Sequence, residues 1–430
     1  MTSPIPSESE AETAPQKAGR TGWYVIPGLF LLVILPCGWW GFTKYQEEAR
    51  WKRRAELNTE CRQLTDEGKW AELEQLAREW HKWNPESDES LLFLADARLN
   101  QGDIVEAQDF LQQLPDTSDK IIPSLLLASE LQLGPGNLPL AAPETLKRIL
   151  KIDPSMTTAQ QRLIFFYALT LQRTKMLRQL RQAVATRSEP IEAYVYLILS
   201  SHMTLTNGIS YSSRWLQSDP ENELLKVARA IHYADTMDSA AGADEEPEAE
   251  KQARFQGMVK LLNEFPQNHA LLRYFLRRKM IEFDVETVGQ MLKQIPESTG
   301  ESLFWRYRGW HHAQNDELEK SERAYRKSLD LDRLDWHTWN ELAGVLRRQG
   351  ELDEAEEMQK ISVVGKDLRK ELRQMPNVAA VTPELLVQIR DYAEMCGDVL
   401  VTQSLSARIE EMGTPTPGML PTTTGKSLSP

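Results

Sequence analysis

Between Leu303 and Ser362 apolar and small residues recur at helical spacing, and the pattern returns after 34 residues. Trp305 is matched by Trp339, Gly309 by Ala343, Leu318 by Leu352, Ser321 by Ala355 and Ser328 by Ser362. In the second copy Trp339, Leu342, Ala343 and Leu346 fall three and four apart, on one face of a helix. Gly350 is placed to end that helix, and Leu352, Ala355 and Met358 open the stripe of the next. The period predicts pairs of short antiparallel helices, none able to bury its apolar face except against a copy of itself. Small residues at Gly309, Ala343 and Ala355 let the backbones approach.

The rest of the chain keeps the same time. Gly68 and Gly102 are again 34 apart. Leu57, Cys61 and Leu64 precede the first, and Trp70, Leu73, Leu76, Ala77 and Trp80 follow it. Leu91, Leu94, Ala95 and Leu99 precede the second, and Ile104, Ala107 and Leu111 follow it. Further on, Pro85, Pro154, Pro220 and Pro266 each close an apolar helix, because proline cannot continue the hydrogen-bond ladder. The first two intervals are close to two repeats; the third is one repeat plus an insertion. These signals predict about nine helix pairs over residues 55–367, with the turn at 133–137 lengthened and an acidic loop at 235–250. Residues 368–412 read as capping helices broken at Cys396-Gly397-Asp398, since an open array needs its last apolar face covered. Residues 1–22 and 413–430 lack apolar periodicity and read as disordered tails.

With Trp339, Leu342, Ala343, Gly350 and Ala355 in one unit and Trp305, Gly309, Leu318 and Tyr325 in the unit before, the chain resembles the tetratricopeptide repeat family. The earlier unit departs from the family pattern at His312, Ser321, Ser328 and Arg333. The resemblance implies an all-α fold, a right-handed α-solenoid of stacked helix pairs. It also implies a concave groove, lined by the first helix of each pair, that accepts a peptide or helix of a partner protein. Carried onto this sequence, the groove candidates are Arg306, Trp310, His337, Asn340 and Arg347, with Arg273 and Arg277 from the preceding pair. Cations at such places could hold an acidic or C-terminal segment. The repeats that clamp acidic chaperone tails are disfavoured, because Asn340 lies one residue off and Glu341 would repel a carboxylate.

Composition changes this picture in one place. Residues 23–43 begin with 20 residues free of charge, Trp23 to Phe42. At 1.5 Å per residue that is about 30 Å of helix, the thickness of a bilayer's hydrocarbon core. Trp23 and Tyr24 at one end, and Trp39, Trp40 and Tyr45 at the other, suit the two interfaces. No small-x-small cleavage site follows, so the expectation is one retained transmembrane helix ahead of the array. Lys44, Arg50, Lys52, Arg53 and Arg54 outnumber Lys17 and Arg20, which by the positive-inside rule puts the array in the cytoplasm. Glu47 and Glu48 dilute the cluster, and a periplasmic array stays open as the alternative. The net charge of -13 argues against nucleic acid.

No catalytic constellation emerges. Gly134-Pro135-Gly136 lacks the lysine of a phosphate loop. His311 and His312 are adjacent and face apart on a helix, so they cannot chelate one metal. Asp330-Leu331-Asp332 reads as helix-terminus chemistry. The expectation is a single-pass membrane scaffold that binds partner proteins, with no cofactor, metal, small-molecule substrate or turnover. An envelope-facing assembly or chaperone-like factor is the nearer alternative, and an enzyme with a site hidden in 154–250 the more remote one.

Overall fold

The computed structural model describes residues 25–201, 205, 207–239, 247–375, 377 and 381–413, with side chains in the first helix from Lys44 onward. The described residues form twenty helices and no strand. In order they are α1 (Val25–Asp66), α2 (Trp70–Trp83), α3 (Asp88–Asn100), α4 (Ile104–Gln112), α5 (Ile121–Leu133), α6 (Ala142–Ile152) and α7 (Thr157–Leu169). Then come α8 (Arg173–Ala185), α9 (Glu192–Leu199), α10 (Gly208–Trp215), α11 (Glu223–Ser239), α12 (Glu248–Glu264), α13 (His269–Ile281) and α14 (Val285–Lys293). The last six are α15 (Ser302–Gln314), α16 (Leu318–Leu331), α17 (Trp336–Gln349), α18 (Leu352–Gln374), α19 (Pro383–Met395) and α20 (Val399–Gly413).

Two compact units divide the chain, Met1–Gln101 and Gly102–Pro430. The first is built on Leu57, Cys61, Leu73, Trp80 and Ala97, with Phe93 packed against them. The membrane-spanning helix expected at 23–43 and the tails expected at 1–22 and 413–430 lie outside the described residues, apart from helical backbone from Val25 in α1 and at Gly413 in α20. Among the described residues no helix is long and apolar enough to cross a membrane. The loop expected at 235–250 is shorter on both sides than its composition suggests. α11 runs on to Ser239 and α12 starts at Glu248. Asp235 is held to α13 by Arg277 at 2.8 Å, and Asp238 to α12 by Arg254 at 2.9 Å, so these acids sit on helices.

The hairpin turns explain the glycine spacing and its gaps. Gly68, Gly102, Gly350 and Gly397 each lie two residues before a second helix, with φ of 67°, 86°, 89° and 68°. Leu171, Phe283 and Asp316 hold the same place before α8, α14 and α16, with φ of 55°, 56° and 61°. The hairpin demands a left-handed residue there, and glycine meets the demand without steric cost. Elsewhere the chain accepts a side chain in a conformation that disfavours one.

The repeat at 303–362 is visible atom by atom. Trp305 donates its indole N–H to the Thr299 carbonyl at 3.1 Å, and Trp339 donates to the Arg333 carbonyl at 2.7 Å, the same six-residue reach back. Leu342, Ala343, Leu346 and Ala355 are buried as the stripe requires. Leu352 is not: it opens α18 on the exposed side. At Gly309 a Cβ would lie 2.5 Å from the buried Tyr325 ring. Gly309→Val should therefore cost about 1–3 kcal/mol by overpacking, read as a lower urea midpoint with helix content kept.

The second unit also closes on itself. Tyr392 of α19 donates to the Leu334 carbonyl at 3.1 Å, and its hydroxyl fills the space above Gly365 of α18. From the other side Arg181 of α8 pairs with Asp398 at 2.7 Å, and Arg408 of α20 pairs with Glu189 at 2.9 Å. The C-terminal pair thus joins the last repeat to α8 and α9, more than a terminal cap does.

Candidate functional site

Helix ends converge inside the second unit, and their charges meet there. Arg173, the first residue of α8, donates to Glu301 just before α15 and to Asp332 just after α16, the latter at 2.6 Å. It also donates to the Ser200 carbonyl at 2.8 Å and to the Ser302 hydroxyl at 2.9 Å. Arg273 of α13 shares Glu301 at 2.9 Å and reaches the Leu171 carbonyl at 2.8 Å. Arg306 of α15 pairs with Asp335 at 2.9 Å, and Thr338 donates to the same carboxylate at 2.7 Å. Burial alone would raise the Glu301 carboxyl; Arg173, Arg273 and Thr174 outweigh it and hold it at about 2. Asp332 stays above the ordinary range, since burial is only partly offset by Arg173. Every charge in this hub has a partner, which marks it as structural.

Next to the hub a recess of about 620 Å³ opens between α13, α15, α17 and α18. Arg277, Met280 and Ile281 of α13 form one wall, with Phe283 in the turn beyond. Arg306 and Tyr307 of α15 and His337 and Glu341 of α17 form the floor; Arg369 and Arg373 of α18 form the opposite wall. Burial and the charges of Arg373, Arg306 and Arg277 push the Arg369 guanidinium below its ordinary range. Its Nε is buried with no hydrogen-bond partner among the described residues. Burial pushes Glu341 up to about 7 against the pull of Arg306 and the Tyr325 hydroxyl.

A smaller cavity shares Ser201, Arg277 and Tyr307 with the recess and leads towards Arg173 and Arg273.

Of the residues the sequence nominates for the groove, the structure brings Arg277, Arg306 and His337 into the recess and places Arg273 in the adjoining cavity. Trp310 is buried behind the rim, its ring 6.3 Å from that of Phe283. Asn340 and Arg347 do not line the recess; both bond Gln359 on α18, at 3.4 and 2.7 Å. His312 is tied to Glu317 at 2.5 Å and His311 packs over Gly289. Among the described residues no cluster of His, Cys, Asp and Glu could hold a metal ion. Asp332 of the Asp-Leu-Asp stretch does stand at the end of α16, where it is also a buried partner of Arg173.

The sequence does not single out Arg369, Arg373, Ile281 or Phe283. A signal for the first two is present: α18 runs for 23 residues, well past its 14-residue counterpart α16. In its added turns Arg369 and Arg373 are four apart, each beside a buried leucine, Leu368 and Leu372. Ile281 and Phe283 read as ordinary hairpin residues until their exposure, 73% and 70%, is seen.

Glu341 gives the recess a pH signature. Its folded value lies above the ordinary 4.5, so the folded state holds more protons than the unfolded one between pH 4.5 and about 7. Stability conferred below pH 4.5 is then lost as pH rises through that window. Glu301 acts oppositely: its contribution is full above 4.5 and is lost as pH falls towards 2. Glu341→Gln should flatten the decline in urea midpoint between pH 5 and pH 8; an unchanged slope would refute the assignment to Glu341.

Residues 304–361 match the tetratricopeptide repeat family. No curated protein matches the chain. Among solved structures, a tetratricopeptide repeat protein from Parabacteroides merdae is similar at 13% identity, over 60% of this chain and 98% of that one, with a TM-score of 0.29. The APC/C hetero-tetramer Cut9-Hcn1 is 12% identical over 82% and 78%, at a TM-score of 0.30. Yeast Tom70 is 14% identical over 84% and 77%, at 0.25. Likenesses this loose do not place one chain's residues on another's.

Proposed function

This chain carries tetratricopeptide repeats, matched at 304–361, and from that premise we propose that it is a non-catalytic scaffold that holds a segment of a partner protein in the recess between α13 and α18. One observation carries the reading. The recess joins an apolar shelf, Ile281 and Phe283, to guanidinium groups that have no ion-pair partner among the described residues, Arg369 and Arg373. Exposed apolar side chains beside unsatisfied cations are what a partner segment would cover. Phe283 adds support: it stands exposed at a left-handed position where glycine would be easier, and such strain collects at working surfaces.

The uncharged run 23–42 supports a membrane anchor, and the basic residues after it support an array on the cytoplasmic side. Anchoring would raise the effective concentration of a held partner near other membrane components. The opposite topology makes the chain an envelope-facing assembly factor, and one labelling experiment separates the two. Single cysteines at Ser3 and at the exposed Ser298, in a chain with its native cysteines replaced, are treated with an impermeant reagent in intact cells. Labelling at Ser3 alone supports a cytoplasmic array; labelling at Ser298 alone supports the envelope-facing one.

The scaffold reading is tested by Ile281→Asp with Phe283→Gly in the full chain. Both sites are exposed, so helix content should hold while co-purification of a partner from native membranes falls at least tenfold. Unchanged recovery would sink the recess as the binding surface.

A further inference from the structure

Resting on the scaffold reading, we infer that the recess selects an acidic segment of a partner protein that carries a bulky apolar side chain beside its carboxylates. Three observations converge on this chemistry. Arg369 and Arg373 project from α18 without an ion-pair partner among the described residues, and Arg306 lies across from them. Ile281 and Phe283 stand exposed on the facing wall, within the same recess. The charge contrast is also local: the chain as a whole carries -13, yet this wall gathers arginines.

The arrangement explains why like charges are kept so close. Arg277 and Arg306 are each held by a carboxylate, Asp235 and Asp335, but Arg369 and Arg373 stand four residues apart on α18 with none among the described residues, and a carboxylate entering between them would relieve their repulsion while satisfying the buried Nε of Arg369. A volume near 620 Å³ admits one large side chain and its flanking carboxylates. Among the described residues Glu341 is the one carboxyl lining the recess that would oppose an anion. It faces Arg306 on α15, Tyr325 on α16 and Asp335 before α17, with His337 one turn back on its own helix. Protonation of Glu341 removes that opposition, so acidic ligands should bind more tightly as pH falls from 8 to 6. Glu341→Gln should remove that pH dependence.

The test uses the full chain in detergent and a set of terminally blocked hexapeptides. Each carries three glutamates around one phenylalanine or leucine, and each is paired with a glutamine counterpart. Fluorescence polarisation is expected to show saturable binding of acidic members, at least tenfold weaker for their glutamine counterparts. It should also weaken at least tenfold in Arg369→Glu/Arg373→Glu and several-fold in the exposed single variant Arg373→Glu. Equal binding of acidic and glutamine peptides would overturn the charge assignment, as would indifference to Arg373→Glu in a folded protein. If no acidic member binds while partner recovery still depends on Ile281 and Phe283, the acidic-segment inference fails and the scaffold reading stands.

Discussion

Arg173→Met should destabilise the second unit by about 3–5 kcal/mol, the cost of leaving buried charge without its partner. The side chain is 6% exposed and satisfies two carboxylates at once, Glu301 and Asp332. Glu301 stands at the N-cap position of α15 and Asp332 at the C-cap position of α16, so the substitution loosens both helices of a repeat and the N-terminus of α8. Arg273 remains on Glu301, whereas Asp332 has no second ion-pair partner among the described residues and keeps only the field of Arg181. Methionine fills much of the volume, which isolates the charge effect from a cavity. The companion variant Arg173→Met/Asp332→Asn should recover most of the loss, because Glu301 keeps Arg273 and a neutral amide tolerates burial far better than an unpaired ion. Urea denaturation of the three proteins decides the matter. A loss under 1 kcal/mol in the single variant would mean that water reaches the hub.

Trp80→Ala should cost about 3–5 kcal/mol in the first unit, by transfer and cavity terms together. Its side chain is fully buried, sits among Leu57, Cys61, Leu73 and Ala97, and meets the Phe93 ring at 6.1 Å. Few other large side chains hold this unit together, so little can collapse into the hole. Its indole N–H has no hydrogen-bond partner among the described residues. Trp80→Phe therefore loses volume without losing a bond, and should cost well under half as much as alanine. Amide exchange over residues 55–100 reads both variants. Equal protection in the alanine variant and the native protein would show that the tryptophan is not the keystone of that core.

The contrast between these two residues shows what a sequence can say about such a fold. Trp80 lies on a stripe with Leu73 and Ala77, and period alone marks it for burial. The match to Ala343 marks Gly309 for close packing, and the Tyr325 ring lies against it. Arg173 carries no such mark: its partners stand 128 and 159 residues away, and only the return of α8 onto α15 and α16 brings them together. The closure by α19 and α20 onto α8 is hidden for the same reason. Turn positions are legible where glycine fills them, as at Gly68 and Gly350, and silent where Leu171 or Phe283 takes the same left-handed conformation. The candidate site was half visible. Arg277, Arg306 and His337 follow from the first-helix rule, whereas Asn340 and Arg347 turn towards Gln359, and the wall of Arg369 and Arg373 comes from a second helix that outruns its repeat.

The most direct measurement is site-specific photo-crosslinking in cells, with a benzophenone side chain in place of Ile281 on the recess wall and, separately, in place of the exposed Leu352 outside it. A recess that holds a partner segment predicts a discrete adduct from position 281 that disappears in Arg369→Glu/Arg373→Glu, and none from position 352. Adducts of equal yield from both positions, or one at 281 indifferent to the arginines, would contradict it.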